Sequence, residues 1–280
     1  MNIQIVTDST CDLPAEILAR YPITVIPCYI NINGKSYLDG IELSRVEFYN
    51  QLPNADPAPT TSAPGPGTFL KTYQELAKQG ADVIFSIHIT KHFSNICNVA
   101  GLAAEEELPI PVHVIDSGNL TLAEGLIALQ AAKAVLDGMD ETQVMQVIRY
   151  SIQNAYAFAK LDTVDYLHRS GRLSAIQHGM ISLLDIKPIL KMNAGLAKMD
   201  VVRTKMKAFA RVLDTAMRKY PRSILFGVSH ANAADQAVEI VTKLRQAFPQ
   251  STIPFISEVT PALGSHVGPG ALCLSWIEAE

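Results

Sequence analysis

The stretch Asp82-Val83-Ile84-Phe85-Ser86-Ile87-His88-Ile89 decides the fold class. Its β-branched run reads as a strand of a parallel sheet, and a polar loop and a helix follow it. Val112 to Ile115 repeats the pattern, with another helix behind it. Upstream, Ile3 to Thr7 reads as a short buried strand, and Asp12-Leu13-Pro14 opens a helix with proline near its first turn. Ile23 to Ile32 is strand-like up to the tight turn Asn33-Gly34. Ser44-Arg45-Val46-Glu47 is a capping box starting a helix that ends near Leu52. A proline-rich loop (Pro53, Pro57, Pro59, Pro64, Pro66) leads to a helix from about Thr68 to Gln79, which Gly80 stops. Strand and helix alternate throughout, so a three-layer α/β unit with a parallel sheet is expected.

The pattern changes after two long helices, Leu120 to Leu136 and Glu141 to Asn154. Strands are expected at Tyr156–Leu161, Asp185–Met192, Leu196–Arg203, Ser223–Val228, Ile253–Val259 and Ala271–Ile277. Asn193-Ala194-Gly195 reads as a hairpin turn, and helices from Lys205 to Arg218 and Ala233 to Phe248 separate later strands. A mixed, partly antiparallel sheet with helices on one face fits this order. The expected division is therefore a first domain of residues 1–155 and a second of residues 156–280. Ligands in such proteins usually bind in the cleft between the two.

Composition narrows the function classes. Of 280 residues, 48% are hydrophobic and 18% charged, which describes a globular chain able to bury a large core. A net charge of -4 without a basic stretch argues against nucleic acid as a partner. The longest apolar helical run, Leu122 to Leu136, carries Glu124, Gln130 and Lys133 and does not span a membrane. Met1-Asn2-Ile3-Gln4 goes straight into a strand without a cationic leader, and Cys11, Cys28, Cys97 and Cys273 form no CxxC pair. Reduced thiols in a cytoplasmic protein, with no structural metal, are expected.

Several segments have the residue types of a ligand site. Thr60 to Gly67 places hydroxyls and free N–H groups ahead of a helix, which favours an anion; plain capping explains it equally. Gly65, Lys71 and Thr72 nearly fit a phosphate loop, but Leu70 replaces the second glycine and blocks the close backbone approach. Thr90 to Asn95 joins a strand end to a helix start, with Ser94 as a natural cap. In His168-Arg169-Ser170-Gly171-Arg172, Arg172 has the fork geometry for a carboxylate or phosphate, although a solvated arginine is the default. Asp8-Ser9-Thr10 follows the first strand, and Leu184 to Leu190 is greasy enough to wall a cavity or fill core. Gly264-Ser265-His266-Val267-Gly268-Pro269-Gly270 is expected to be a loop feeding a strand, offering His266 to a ligand. A rival is the sequence Gly227-Val228-Ser229-His230-Ala231, which approaches a nucleophile elbow; Glu258 and His266 follow it in hydrolase order.

Ile5 to Pro14 (IVTDSTCDLP), Thr61-Ser62, Ser94, Tyr166-Leu167 with Gly171-Arg172, Ile186 to Leu190, and Gly264, His266 and Gly268-Pro269-Gly270 resemble the DegV family in order and spacing. The resemblance covers essentially the whole chain. It implies a Rossmann-like first domain and a second α/β domain with a six-stranded mixed sheet. It also implies a bound long-chain fatty acid, no cofactor, and a carrier role rather than catalysis by the chain alone. In that role the acid is presented to a separate ATP-dependent fatty acid kinase subunit, which makes an acyl phosphate; contact with a membrane would be transient. The family's carboxylate-binding hydroxyls fall on Thr61 and Ser94, with Ser62 beside them, and its phosphoryl-handling residues on Arg172 and His266. Asp8, Ser9, Thr10, Asn95, Ile186, Ile189 and Gly268 are expected along the cleft. An autonomous hydrolase using Ser229 and a nucleotide-dependent phosphotransferase stand as the alternatives.

Overall fold

The structure is a computed structural model that describes residues 1–176, 187–202, 214, 223–247, 249 and 255–278. Strands β1 (Ile3–Asp8) and β2 (Ile23–Ile26) join β6 (Val83–His88) and β7 (Val112–Asp116) in a parallel sheet of order β2-β1-β6-β7. The expected strand Ile23 to Ile32 is in fact two. Pro27 has no N–H for the ladder, so the chain leaves the parallel sheet there. β3 (Tyr29–Ile32) then pairs antiparallel with β4 (Lys35–Leu38) and β5 (Thr60–Ser62) in a small separate sheet. Thr61 is consequently a strand residue opposite Ile30 rather than part of a loop.

Helices close both faces of the parallel sheet. Val6 and Ile84 share a core with α3 (Pro66–Lys78) and α4 (Ile96–Ala104). The alternate residues Ile5 and Phe85 pack with α5 (Thr121–Leu136) and α6 (Glu141–Asn154), as period-two alternation requires. Of the shorter helices, α1 (Ala15–Arg20) follows β1, and α2 (Arg45–Gln51) carries the expected capping box, complete in both directions between Ser44 and Glu47.

The second sheet runs β10-β9-β8-β13-β11-β12, from β8 (Ala155–Lys160), β9 (Lys187–Asn193), β10 (Leu196–Val202), β11 (Ser223–His230), β12 (Phe255–Glu258) and β13 (Leu272–Glu278). Only β11 and β12 run parallel. The turn at Ala194 and Gly195, with φ of 44° and 83°, closes the expected hairpin. Between β8 and β9 lies α7 (Asp165–Arg169). The helix expected over Lys205 to Arg218 falls outside the described residues except for Asp214.

Helices do not keep to one face of this sheet. Phe226, Val228, Leu274 and Trp276 pack under α8 (Ala234–Ala247), while Leu225 and Ile277 face α5 on the other side. Strands β11 and β13 bury residues of both parities for this reason. α5 is thus enclosed between two sheets, which is why its apolar residues show no one-sided stripe. Among the described residues no helix is long and apolar enough to cross a membrane.

The glycine-rich stretch near the C-terminus is also not the expected loop. Pro261–Val267 is a helix, α9, and the chain leaves it only at Gly268, where φ is 72°. Proline is suited to the first turn. Gly264 lies so close to Phe48 and Tyr49 that a Cβ there would come within 2.9 and 2.6 Å of them. That close packing offsets the helical cost of glycine, about 1 kcal/mol.

Candidate functional site

A cavity of about 300 Å³ opens beside the inner face of the six-stranded sheet. Its floor is small: Ala159 lies in register between Cys273 on β13 and Leu190 on β9, and Ala157 faces Met192. Phe158 and Ile189, one residue out of phase, point to the α8 side. The walls come from Ile89 and Phe93 beyond β6, and from Ala262 and Leu263 on α9.

Polar side chains interrupt this apolar lining, Thr10 and Thr121 among them. Thr61 and Ser62 enter from β5, Ser94 and Asn95 from the loop after β6, Arg172 from the turn after α7, and His266 from α9. Thr61 Oγ1 and His266 Nε2 share a hydrogen bond of 3.0 Å. His266 Nδ1 is buried and has no hydrogen-bond partner among the described residues. Burial, reinforced by the Arg172 guanidinium, pushes the His266 imidazole down to about 4, so it is neutral at pH 7. Arg172 Nη1 donates to the Ser170 carbonyl at 2.6 Å, which orients the guanidinium. Ser94 Oγ accepts from the Ile96 N–H at 3.3 Å, leaving its own proton to donate. Among the described lining residues there is no Asp or Glu. The described lining therefore offers hydroxyl donors and one cation without a competing anion, which is the chemistry of a carboxylate site.

Of the expected site residues, the structure gathers Thr61, Ser62, Ser94, Asn95, Arg172, His266 and Thr10 around this one cavity. Four others are elsewhere. Asp8 is fully buried, taking hydrogen bonds from Thr10 and the Ile89 N–H and pairing with His88 at 3.0 Å. Burial opposes its ionisation, but the His88 and Thr10 bonds hold its carboxyl below the usual range. Ser9 Oγ donates to Asp39 at 2.6 Å. Ile189 is on the opposite sheet face, and Gly268 packs on the Tyr166 ring, where a Cβ would collide. Ile186 lies outside the described residues.

The alternatives find no support in the geometry. Ser229 is inside β11 rather than on an elbow, is fully buried, and shares a 2.8 Å hydrogen bond with Thr121. The proposed partner, His266, is engaged with Thr61 instead. A serine–histidine–aspartate chain does exist, Ser86–His88–Asp8 with bonds of 2.7 and 3.0 Å, but all three are fully buried and Ser86 also bonds Tyr73. The near phosphate loop is simply α3, whose exposed Lys71 lies 3.8 Å from Glu75.

The family model described as an uncharacterised protein of the DegV family matches residues 2–279. This chain belongs to the DegV family. A DegV domain-containing protein of Streptomyces coelicolor is 34% identical over 97% of this chain and 96% of its own length. The crystal structure of Bacillus subtilis DegV, described as a fatty acid binding protein, superposes with a TM-score of 0.90 at 30% identity over the whole of both chains. A Thermotoga maritima structure described as revealing fatty acid binding function gives a TM-score of 0.87 at 26% identity, again over both whole chains.

Within this DegV fold, sequence reasoning missed the floor. The signal was present: alanine recurs at 155, 157 and 159, alternating with Tyr156, Phe158 and Lys160. Bulk on one face and alanine on the other leaves room beside the small side, which helix packing fills at Ala155 and the cavity occupies at Ala157 and Ala159. Cys28 and Cys273 also line the cavity, and burial pushes the Cys273 thiol up to about 12, so it is an unreactive wall residue.

Proposed function

We propose that the protein binds a long-chain fatty acid, its chain over the Ala157–Ala159–Cys273 floor and its carboxylate between Thr61 and Ser94. The observation that carries this reading is an apolar cavity whose described polar lining holds hydroxyls, an imidazole beside Thr61 and one guanidinium but no acid. The fatty acid binding described for the Bacillus subtilis and Thermotoga maritima proteins supports it.

The energetics are adequate. A sixteen-carbon acid has about fourteen methylenes at ~0.8 kcal/mol each, roughly 11 kcal/mol of gross transfer energy. Lost freedom on association offsets much of this. Burying the carboxylate costs several kcal/mol unless it is hydrogen-bonded. Thr61 and Ser94 meet that need with neutral hydroxyls, so the carboxylate oxygens keep their nucleophilicity.

In this reading the chain is a cytoplasmic carrier that presents the acid to a separate ATP-dependent kinase. A carboxylate oxygen attacks the γ-phosphorus, the bond to ADP breaks, and an acyl phosphate results. Arg172 faces the charge that accumulates on the transferred group, while neutral His266 holds the Thr61 hydroxyl in place. Residues 1–155 and 156–280 would be the two units bordering the acid. Mass spectrometry of an organic extract of the purified protein tests the reading. A long-chain acid near one equivalent is expected; protein that neither retains nor takes up such an acid would refute it.

A further inference from the structure

We infer that Asp12 and Asp39 are positioning residues: two buried carboxylates that clamp the first turn of α9 and so hold His266 against Thr61. The role rests on the headgroup site proposed above. Helix α9 has no side-chain cap of its own, although Thr260 is at the capping position. Its free N–H groups are met from the other end of the chain. Thr260 N–H donates to Asp12 Oδ1 at 2.8 Å, and Ala262 N–H donates to Asp39 Oδ1 at 3.3 Å. Just before them, the Tyr49 hydroxyl donates to the Val259 carbonyl at 2.9 Å.

Each carboxylate is aimed by a second bond. Thr121 Oγ1 donates to Asp12 Oδ2, and Ser9 Oγ to Asp39 Oδ2, both at 2.6 Å. Both acids are almost wholly buried, at 1% and 2% exposure. Burial pushes Asp12 up to about 6 against the pull of Arg45, and Asp39 up to about 7. Neither touches the cavity. A pair of costly acids where a serine cap would suffice makes sense through what the helix carries. His266 is one turn beyond Ala262, and its 3.0 Å bond to Thr61 closes only if the helix starts where these acids hold it. The far end is fixed separately, by Gly268 against Tyr166 and by the Lys160 ammonium donating to the Gly270 carbonyl at 2.7 Å.

The test is the titration of His266, followed by NMR of the imidazole in protein stripped of lipid. In the unaltered chain it should titrate far below the ordinary histidine value near 6.5. Asp39→Ala should move it back toward that value. Asp39→Asn, which restores an acceptor for the Ala262 N–H, should keep it low. Fatty acid affinity should follow, falling at least tenfold in Asp39→Ala and recovering in Asp39→Asn. A folded Asp39→Ala protein with unchanged His266 titration would overturn the proposal. Should that variant not fold, amide exchange in the native chain decides: Thr260 and Ala262 amides as slow as those of β13 support the clamp, and fast exchange there refutes it. Because the titration needs no lipid, its outcome is independent of whether the cavity binds a fatty acid.

Discussion

Replacing Ala159 by Leu should shorten the acyl chain the cavity accepts. Ala159 lies in the middle of the floor, with Cys273 and Leu190 as its cross-strand neighbours. The substitution projects about three carbons into space the ligand would use, displacing roughly three methylenes at ~0.8 kcal/mol each. The loss is therefore about 2.4 kcal/mol, or roughly fifty-fold in affinity, for an acid long enough to fill the slot. An acid whose chain ends before it reaches Ala159 should lose almost nothing, since it never meets the new side chain. The empty protein should be as stable as the parent or slightly more so, because the new side chain fills a void instead of overpacking the core. Calorimetric titration of delipidated protein with a series of saturated acids reads this directly. Equal weakening at every chain length, or no weakening at the longest, would show that the alanine floor does not carry the acyl chain.

Thr61→Val combined with Ser94→Ala should weaken fatty acid binding about a hundredfold, from two hydrogen bonds to a charged group at ~1.5 kcal/mol each, measured by displacement of a fluorescent acid. His266 is held at about 4 in the folded chain, below its ordinary 6.5, so the folded state binds fewer protons between those values. Its contribution to stability is present above pH 6.5 and lost as pH falls toward 4, up to about 3 kcal/mol, and urea unfolding of His266→Asn should lack that acid-side loss. Asp39 has the opposite sign: raised to about 7, it contributes stability below pH 4 that is lost as pH rises through 7, and Asp39→Asn should flatten that part of the profile. Gly268→Ala places a Cβ into the Tyr166 ring at a φ of 72°, and should cost roughly 2 kcal/mol or more, seen as a fall of several degrees in Tm.

Short-range signals were legible in the chain before any contact was known. The apolar run at β6, the reciprocal capping box of Ser44 and Glu47, the hairpin at Ala194-Gly195 and the paired long helices depend on neighbours a few residues away, and each stands where the sequence puts it. The family motifs likewise singled out Thr61, Ser94, Arg172 and His266, which all line one cavity. Other features exist only because distant segments meet. Pro27 sends one expected strand into two sheets, and Phe48 and Tyr49 leave no room for a side chain at Gly264 inside α9. Ile189 and Leu190 exchange roles through nothing more than which face of β9 meets the cavity. Asp12 and Asp39 reach residues 248 and 223 positions further along to grip α9. Periodicity and caps are written locally, but a side chain's facing and its long-range partner are set by how the sheets and helices pack, and no local pattern contains that.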